Sequence, residues 1–250
     1  MQPSVPRYSR HMLLKVIGEE GQEKIENSRV LVAGLGALGS MAALLLARAG
    51  VGFLRIVDQD APELHNLHRQ FLYDEADVES GLSKAEAAEL HLQAANSSVK
   101  IDAVNEAIGP ENVDALCSDV DLVVDALDNI RTRYFINDLI LSRGIPYVFG
   151  GAVETIGNIM TIIPGKTPCL RCLWPDPEAV DNHPRASAVG VLSSAAATVA
   201  SLQVTEALKI LVGRENDILS GLLVLDVWRS CFHVAPISID PECICRKLRQ

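Results

Sequence analysis

A chain of 250 residues that is 48% hydrophobic and poor in aromatics suits one packed α/β domain better than a β-sandwich. A formal net charge of −10 excludes a general nucleic-acid binder, which needs a basic face, yet leaves room for one nucleotide held by a few local cations. The N-terminal "MQPSVPRYSRHM" lacks the apolar run of a signal peptide, and the most apolar later run is broken by Ser193, Ser194, Ser201, Gln203, Glu206 and Lys209. A cytoplasmic protein without a membrane span is therefore expected.

Residues 8–27 read as a helical preamble with Met12, Leu13, Val16 and Ile17 on one apolar face. "RVLVAG" predicts a short buried strand, and "ALGSMAALLLARAG" a helix that stops at Gly50. "FLRIVD" is the next strand, followed by the turn "NLHRQ", an acidic loop "DEADVESGLSK" and a helix "KAEAAELHLQAAN" ending near Asn96. "VKIDAVN", "VDLVVDA" and "PYVFGG" supply further strands, and "RTRYFINDLILSRG" is a helix that stops at Gly144, just before Pro146. This alternation predicts a Rossmann-like, doubly wound and mostly parallel sheet.

From residue 151 the pattern changes. "TIGNIMTIIPG" and "GLLVLDVWRSCFHVAPI" are strands without crossover helices, so an antiparallel C-terminal extension is expected. Between them lie a cysteine pair, a loop over roughly 173–187 rich in Pro and Asp, and a helix of small residues. The expected organisation is a single domain over 1–250. N-terminal helices fill 1–28, a nucleotide-binding part 29–150, and the antiparallel extension, crossover loop and cysteine tail 151–250.

"GLGALG" places Gly34, Gly36 and Gly39 between a strand and a helix, where a tight turn lets backbone approach a phosphate at a positive helix end. Asp58 follows at a strand end, nineteen residues after Gly39, suited to accept ribose hydroxyls. These features fit a dinucleotide oxidoreductase as well as an ATP-using enzyme. The six histidines are scattered and form no hydride-transfer constellation, and His65 and His68 lack a third ligand for a metal.

Adenylation makes a different demand, because a triphosphate must be gripped and its charge neutralised as pyrophosphate leaves. Arg69 offers a forked phosphate donor, Asn66 an amide, Lys84 an ammonium, and Asp128 of "DALDN" a Mg²⁺ ligand at the carboxyl edge of the sheet. Each also has a plainer role: Arg69 in a surface ion pair, Lys84 as a solvated helix residue, Asp128 as a helix N-cap. As a set behind a glycine loop they point to a triphosphate clamp. Cys169, Cys172, Cys243 and Cys245 form two tight pairs, for which a metal site is favoured over a disulfide framework.

"RYSRHMLL", "VLVAGLGALGS", "NLHRQ", "DALDN", "CLRCLWPD" and "SLQVTEALKIL" together resemble the ThiF/MoeB/HesA adenylyltransferases, relatives of ubiquitin-activating enzymes, over about residues 7–245. The resemblance implies ATP and Mg²⁺ as cofactors, with Gly34, Gly36, Ala37, Gly39, Asp58, Asp60, Asn66, Arg69, Gln70, Lys84, Asp128 and Asn129 around the nucleotide. Arg10, Arg69, Lys84 and Asp128 would serve catalysis, Arg10 by reaching the ATP of the other subunit of a homodimer. It further implies structural Zn²⁺ on the four paired cysteines and, as partner, a ubiquitin-like sulfur carrier whose C-terminal Gly-Gly carboxylate is adenylated.

The chain departs from that family in three ways. No cysteine stands in the crossover loop, so adenylation without a thioester to this protein is expected, with sulfur supplied by an external persulfide donor. Cys231, in an apolar strand, reads as a buried structural thiol. The C-terminal pair is C-x-C rather than C-x-x-C, and Ala37 fills a position usually glycine. Three other readings compete: adenylation of another carboxylate or a tRNA base, a nucleotide-binding scaffold without turnover, and an oxidoreductase.

Overall fold

The computed structural model describes residues 5–175 and 186–247. The apolar runs "RVLVA", "FLRIV", "KIDAV" and "LVVD" become β1 (Arg29–Ala33), β2 (Phe53–Val57), β3 (Lys100–Val104) and β4 (Leu122–Asp125). β5 (Tyr147–Val153), β6 (Ile156–Ile162), β7 (Leu222–Asp226) and β8 (Cys231–Ala235) complete an eight-stranded sheet in the order β3-β2-β1-β4-β5-β6-β7-β8. Pairings from β3 through β5 are parallel, and those from β5 to β8 antiparallel. The change of grammar near residue 151 is thus a change of strand direction. β2 and β4 lie on opposite sides of β1, which opens a crevice beyond their carboxyl ends, the usual ligand position in such sheets.

Eleven helices accompany the sheet among the described residues: α1 (Ser9–Met12), α2 (Gly18–Asn27), α3 (Ala37–Ala49), α4 (Glu75–Ser80), α5 (Lys84–Ala95), α6 (Val113–Leu116), α7 (Ile130–Arg143), α8 (Leu170–Leu173), α9 (Ala186–Val189), α10 (Ser193–Leu211) and α11 (Ile244–Lys247). α3, α5 and α10 cover one face of the sheet, burying Leu46, Leu92 and Val199 against Leu54, Ile56, Val124 and Val148. α6, α7 and α8 cover the other, where Ile136, Ile140 and Leu170 meet Leu31, Val123, Tyr147 and Phe149. Leu46 and Ile140 are fully buried, so truncating either to alanine costs ~2–5 kcal/mol. α3 and α7 end where the sequence predicts, at Gly50 (φ 89°) and Gly144 (φ 72°).

Three expectations need correction. The preamble is two helices broken before Gly18 (φ 66°), and Leu13 and Val16, in the turn between them, are exposed rather than packed. The acidic loop contains α4, nucleated by a reciprocal cap between Asp74 and Asp77, so its acids serve helix formation. Cys231 is exposed, since β8 is the edge strand and leaves Cys231, Phe232, His233 and Val234 uncovered. Residues 176–185, most of the expected crossover loop, lie outside the described residues. Among the described residues no helix is long and apolar enough to cross a membrane.

Candidate nucleotide and carboxylate site

The three glycines of the turn after β1 do different work. Gly34 (φ 89°) donates its N–H to Val57 O at 2.9 Å, and a Cβ there would lie 2.9 Å from Ala126 O. At Gly39 a Cβ would fall 1.8 Å from Gly34 O, so this glycine lets α3 pack against the turn that precedes it. Gly36 is unlike both: its φ is −72°, and an added Cβ would meet nothing nearer than Gln70 Nε2 at 3.9 Å. Its missing side chain opens space in a cleft of about 860 Å³. Ala37 opens α3 with a helical backbone, which explains why alanine is tolerated there.

The cleft lies beyond the carboxyl ends of β1, β2 and β4, and gathers Gly34, Gly36, Ala37, Asp58, Asp60, Asn66, Arg69, Gln70, Lys84, Asp128 and Asn129. Of the residues that sequence placed around the nucleotide, only Gly39 stays behind the cleft wall.

Asp58, one residue beyond β2, accepts the Leu35 N–H on Oδ2 (2.7 Å) and the Asp60 N–H on Oδ1 (2.9 Å). These bonds hold the carboxylate against the glycine turn and leave lone pairs for a ligand's hydroxyls. Burial raises its pKa, while Lys84 and the two amides pull the other way. Lys84 is the first residue of α5, behind a reciprocal Ser83–Glu86 cap. Only 5% exposed, it donates from Nζ to Asp60 Oδ2 at 3.0 Å, and its own amide bonds Asp60 O at 2.8 Å. A buried ammonium aimed at the cleft is not the solvated helix residue of the plainer reading.

"NLHRQ" is a turn that follows a short 3₁₀ helix (Leu64–Asn66), and it folds Arg69 back onto Asn66. Arg69 donates from Nη2 to Asn66 Oδ1 (2.9 Å) and from Nη1 to His65 O (2.9 Å), so its guanidinium is braced within its own turn instead of joining a surface ion pair. Gln70 is 3% exposed, and its Oε1 has no partner among the described residues although it is buried beside Gly36. An orphaned acceptor next to an open glycine is what a bound ligand would complete.

Asp128 lies in the segment between β4 and α7. Asn129, not Asp128, caps α7 by accepting the Thr132 N–H at 2.9 Å. The exposed Asp128 carboxylate has no hydrogen-bond or ion-pair partner among the described residues and faces the cleft.

Beneath it lies a network that the sequence reading missed. Asp125, fully buried at the end of β4, takes the Tyr147 hydroxyl at 2.6 Å and the Leu127 N–H at 2.9 Å. Arg133 Nε lies 2.9 Å from Asp125 Oδ2, an ion pair by distance whose N–H direction misses the oxygen. Burial pushes the Asp125 carboxyl up, against the opposing pull of Arg133, Tyr147 and the Leu127 amide. The signal was present: an acid closing the run "LVVD" is buried and must be paired.

The four paired cysteines converge, with all four sulfurs within 4.8 Å of one another. Cys169 Sγ is 3.5 Å from Cys243 Sγ, and Cys172 Sγ 3.4 Å from Cys245 Sγ. A tetrahedral Zn²⁺ with Zn–S of ~2.3 Å requires sulfurs ~3.8 Å apart, so the C-x-C pair is compatible with a closed four-thiolate site. Neither remaining cysteine lines the cleft. Cys117 is fully buried behind α6, and burial holds its thiol up at about 11. Arg10 is exposed on α1, outside the cleft of its own chain.

The chain is similar to several known proteins. The chain is 41% identical over 228 residues to the sulfur carrier protein ThiS adenylyltransferase of Bacillus subtilis, covering 90% of this chain and 66% of that protein. It is 39% identical over 238 residues to the SAMP-activating enzyme E1 of Haloferax volcanii, covering 95% and 87%. It spans only 51% of the adenylyltransferase and sulfurtransferase MOCS3 of Anopheles gambiae, at 38% identity. A crystal structure of E. coli MccB with ATP superposes with a TM-score of 0.84 at 22% identity, over 98% of this chain and 75% of that one, a likeness of fold. A profile described as the ThiF family matches residues 8–246, and with relatives named as adenylyltransferases on this scale the chain belongs to the ThiF family.

Proposed function

We propose that the chain is an ATP-dependent adenylyltransferase that activates the C-terminal Gly-Gly carboxylate of a ubiquitin-like sulfur carrier. The observation that carries this reading is the convergence of Asp58, Asn66, Arg69, Lys84 and Asp128, from separate elements, on one cleft behind a glycine turn. The names of two relatives, a sulfur carrier protein adenylyltransferase and a SAMP-activating enzyme, support the carrier as substrate.

The carrier carboxylate attacks the α-phosphorus of ATP, a P–O bond forms, and the bond to pyrophosphate breaks to leave an acyl-adenylate. A carboxylate at neutral pH needs no general base, so the protein's task is positioning and charge stabilisation. Asp58 accepts ribose hydroxyls, Asn66 and Gln70 supply amides, and Arg69 and Lys84 neutralise the leaving pyrophosphate. Asp128, its carboxylate without a protein partner, would hold a Mg²⁺ that adds positive charge at the phosphates. Lys84 leaves Asp60 for the phosphates when the nucleotide binds.

Because no cysteine lines the cleft, the acyl-adenylate is the end product on this chain; the terminal sulfur of an external persulfide donor then attacks its carbonyl carbon, and the bond to AMP breaks. The four-cysteine cluster holds structural Zn²⁺, for which its sulfur spacing is suited. The enzyme works as a cytoplasmic homodimer in which Arg10 reaches the partner's triphosphate; exposed Leu13, Leu14 and Val16 beside α1 offer the apolar surface for that contact. ATP–pyrophosphate exchange tests the reading, with Gly-Gly-ended carriers added one at a time. Exchange with one carrier that is lost in Arg69→Ala and Asp128→Ala supports it, and ATP binding without exchange for any carrier counts against it.

A further inference from the structure

We infer that Arg133 is a positioning residue that fixes where the Asp128 carboxylate stands, and thereby sets how tightly the site binds a divalent cation. The inference rests on the reading of Asp128 as the cation ligand. The segment is held on both sides of Asp128. Ala126 N–H bonds Ala33 O at 2.9 Å, Leu127 N–H bonds Asp125 Oδ1 at 2.9 Å, and the Asn129 side chain receives the Thr132 N–H at 2.9 Å. The Leu127 carbonyl, directly before Asp128, is held by Arg133 Nη2.

Arg133 is itself held from several sides. Its Nη2 also reaches Gly150 O on β5 at 2.8 Å, Nε sits 2.9 Å from Asp125 Oδ2, and the guanidinium carbon lies 4.7 Å from the centre of the Phe149 ring. On the other face of the sheet Gln203 Nε2 bonds Asp125 O at 2.7 Å and Val148 O at 3.1 Å, which fixes the strand end from which the segment leaves. β4 and β5 are paired directly through Val123 with Tyr147 and Val124 with Val148, so the sheet does not depend on Arg133. What Arg133 adds is the link from that frame to the peptide group carrying Asp128. A lysine lacks the planar guanidinium that bonds two carbonyls through Nη2 while its Nε lies beside the Asp125 carboxylate.

The test is Mn²⁺ binding to the full chain with a non-hydrolysable ATP analogue, read from the electron paramagnetic resonance signal of free Mn²⁺. Variants are Arg133→Lys, the paired Asp125→Asn/Arg133→Met, Asp128→Asn, and Arg133→Lys combined with Asp128→Asn. The paired change removes both buried charges together, so no lone ion is left in the core. Each variant is checked for a cooperative melt, and exchange is measured against Mg²⁺ concentration in parallel. The expected result is Mn²⁺ binding weakened about 10- to 100-fold in folded Arg133→Lys, as for other groups that orient a metal ligand, with analogue affinity in the absence of metal unchanged. Adding Arg133→Lys to Asp128→Asn is expected to cause no further loss.

Mn²⁺ affinity within about twofold of the parent in both folded Arg133 variants, or losses that add to those of Asp128→Asn, would overturn the role of Arg133. Unchanged Mn²⁺ binding in Asp128→Asn is a separate result, and overturns the reading of Asp128 on which the inference stands.

Discussion

Two glycines three residues apart should respond in opposite ways to the same methyl group. In Gly39→Ala the new Cβ lands 1.8 Å from Gly34 O and 3.0 Å from Ala126 Cβ, so α3 must move away from the turn. Overpacking of this kind costs ~1–3 kcal/mol, which for a chain of this size lowers Tm by roughly 2–12 °C. In Gly36→Ala the backbone is already at φ −72° and the Cβ has its nearest neighbour at 3.9 Å, so the fold loses only the roughly 1 kcal/mol or less by which glycine exceeds alanine as a helix cap. The methyl instead enters the cleft where a phosphate would approach. Nucleotide affinity should fall about tenfold or more, equivalent to ~1.4 kcal/mol. Calorimetric melting and titration with ATP separate the two effects. Gly36→Ala melting as low as Gly39→Ala, or binding ATP as tightly as the parent, would refute the assignment of Gly36 to the ligand and Gly39 to packing.

The remaining predictions concern the cysteines. Iodoacetamide on the native protein should modify the exposed Cys231 and leave buried Cys117 untouched until the chain unfolds; peptide mass spectrometry showing equal rates would contradict the packing around α6. The Cys117 thiol, held up at about 11, favours the folded state fully below the ordinary thiol pKa, and that contribution is lost as pH rises towards and through 11. Over that window it amounts to at most ~3 kcal/mol, and a Cys117→Ala chain should show a flatter decline of Tm with alkaline pH. Cys243→Ser should release about one equivalent of zinc by metal analysis and shift the fluorescence of Trp174; full zinc retention would remove Cys243 from the ligand set.

Much of the fold was legible because period and punctuation agreed with the tertiary structure. α3 and α7 end on glycines local to the chain, and β1, β2 and β4 are short apolar runs that only a covered sheet accommodates. The errors came where burial depends on what lies far away in sequence. Cys231 sits in a run apolar enough for a central strand, but the sheet order makes it an edge. Leu13 and Val16 carry helical spacing, but a stripe of apolar residues does not say what covers it. Within the cleft, Arg69 and Lys84 could be named because their chemistry is scarce near a glycine turn. Arg133 could not, since its worth lies in reaching the Leu127 and Gly150 carbonyls and Asp125 together, a fact of three dimensions.

The charge of the cleft constrains how the proposed reaction is run. Its lining includes the acids Asp58, Asp60, Glu63, Glu106, Asp128 and Glu154 against the cations Arg69, Lys84 and Arg133. Two of those cations already face acids: Lys84 faces Asp60, and Arg133 faces Asp125 beneath the floor. A triphosphate entering such a cleft must be placed close to Arg69, Lys84 and the amino end of α3, whose dipole supplies roughly half a positive charge. Asp58 and Asp60 then belong on the ribose side, where neutral hydroxyls ask for acceptors. The bare Asp128 carboxylate would repel both the phosphates and an incoming carboxylate unless a divalent cation stood between them. The acidity of the cleft therefore argues for two additions from outside the chain, a metal ion at Asp128 and a further cation over the phosphates, and exposed Arg10 on a second copy has the chemistry to be the latter.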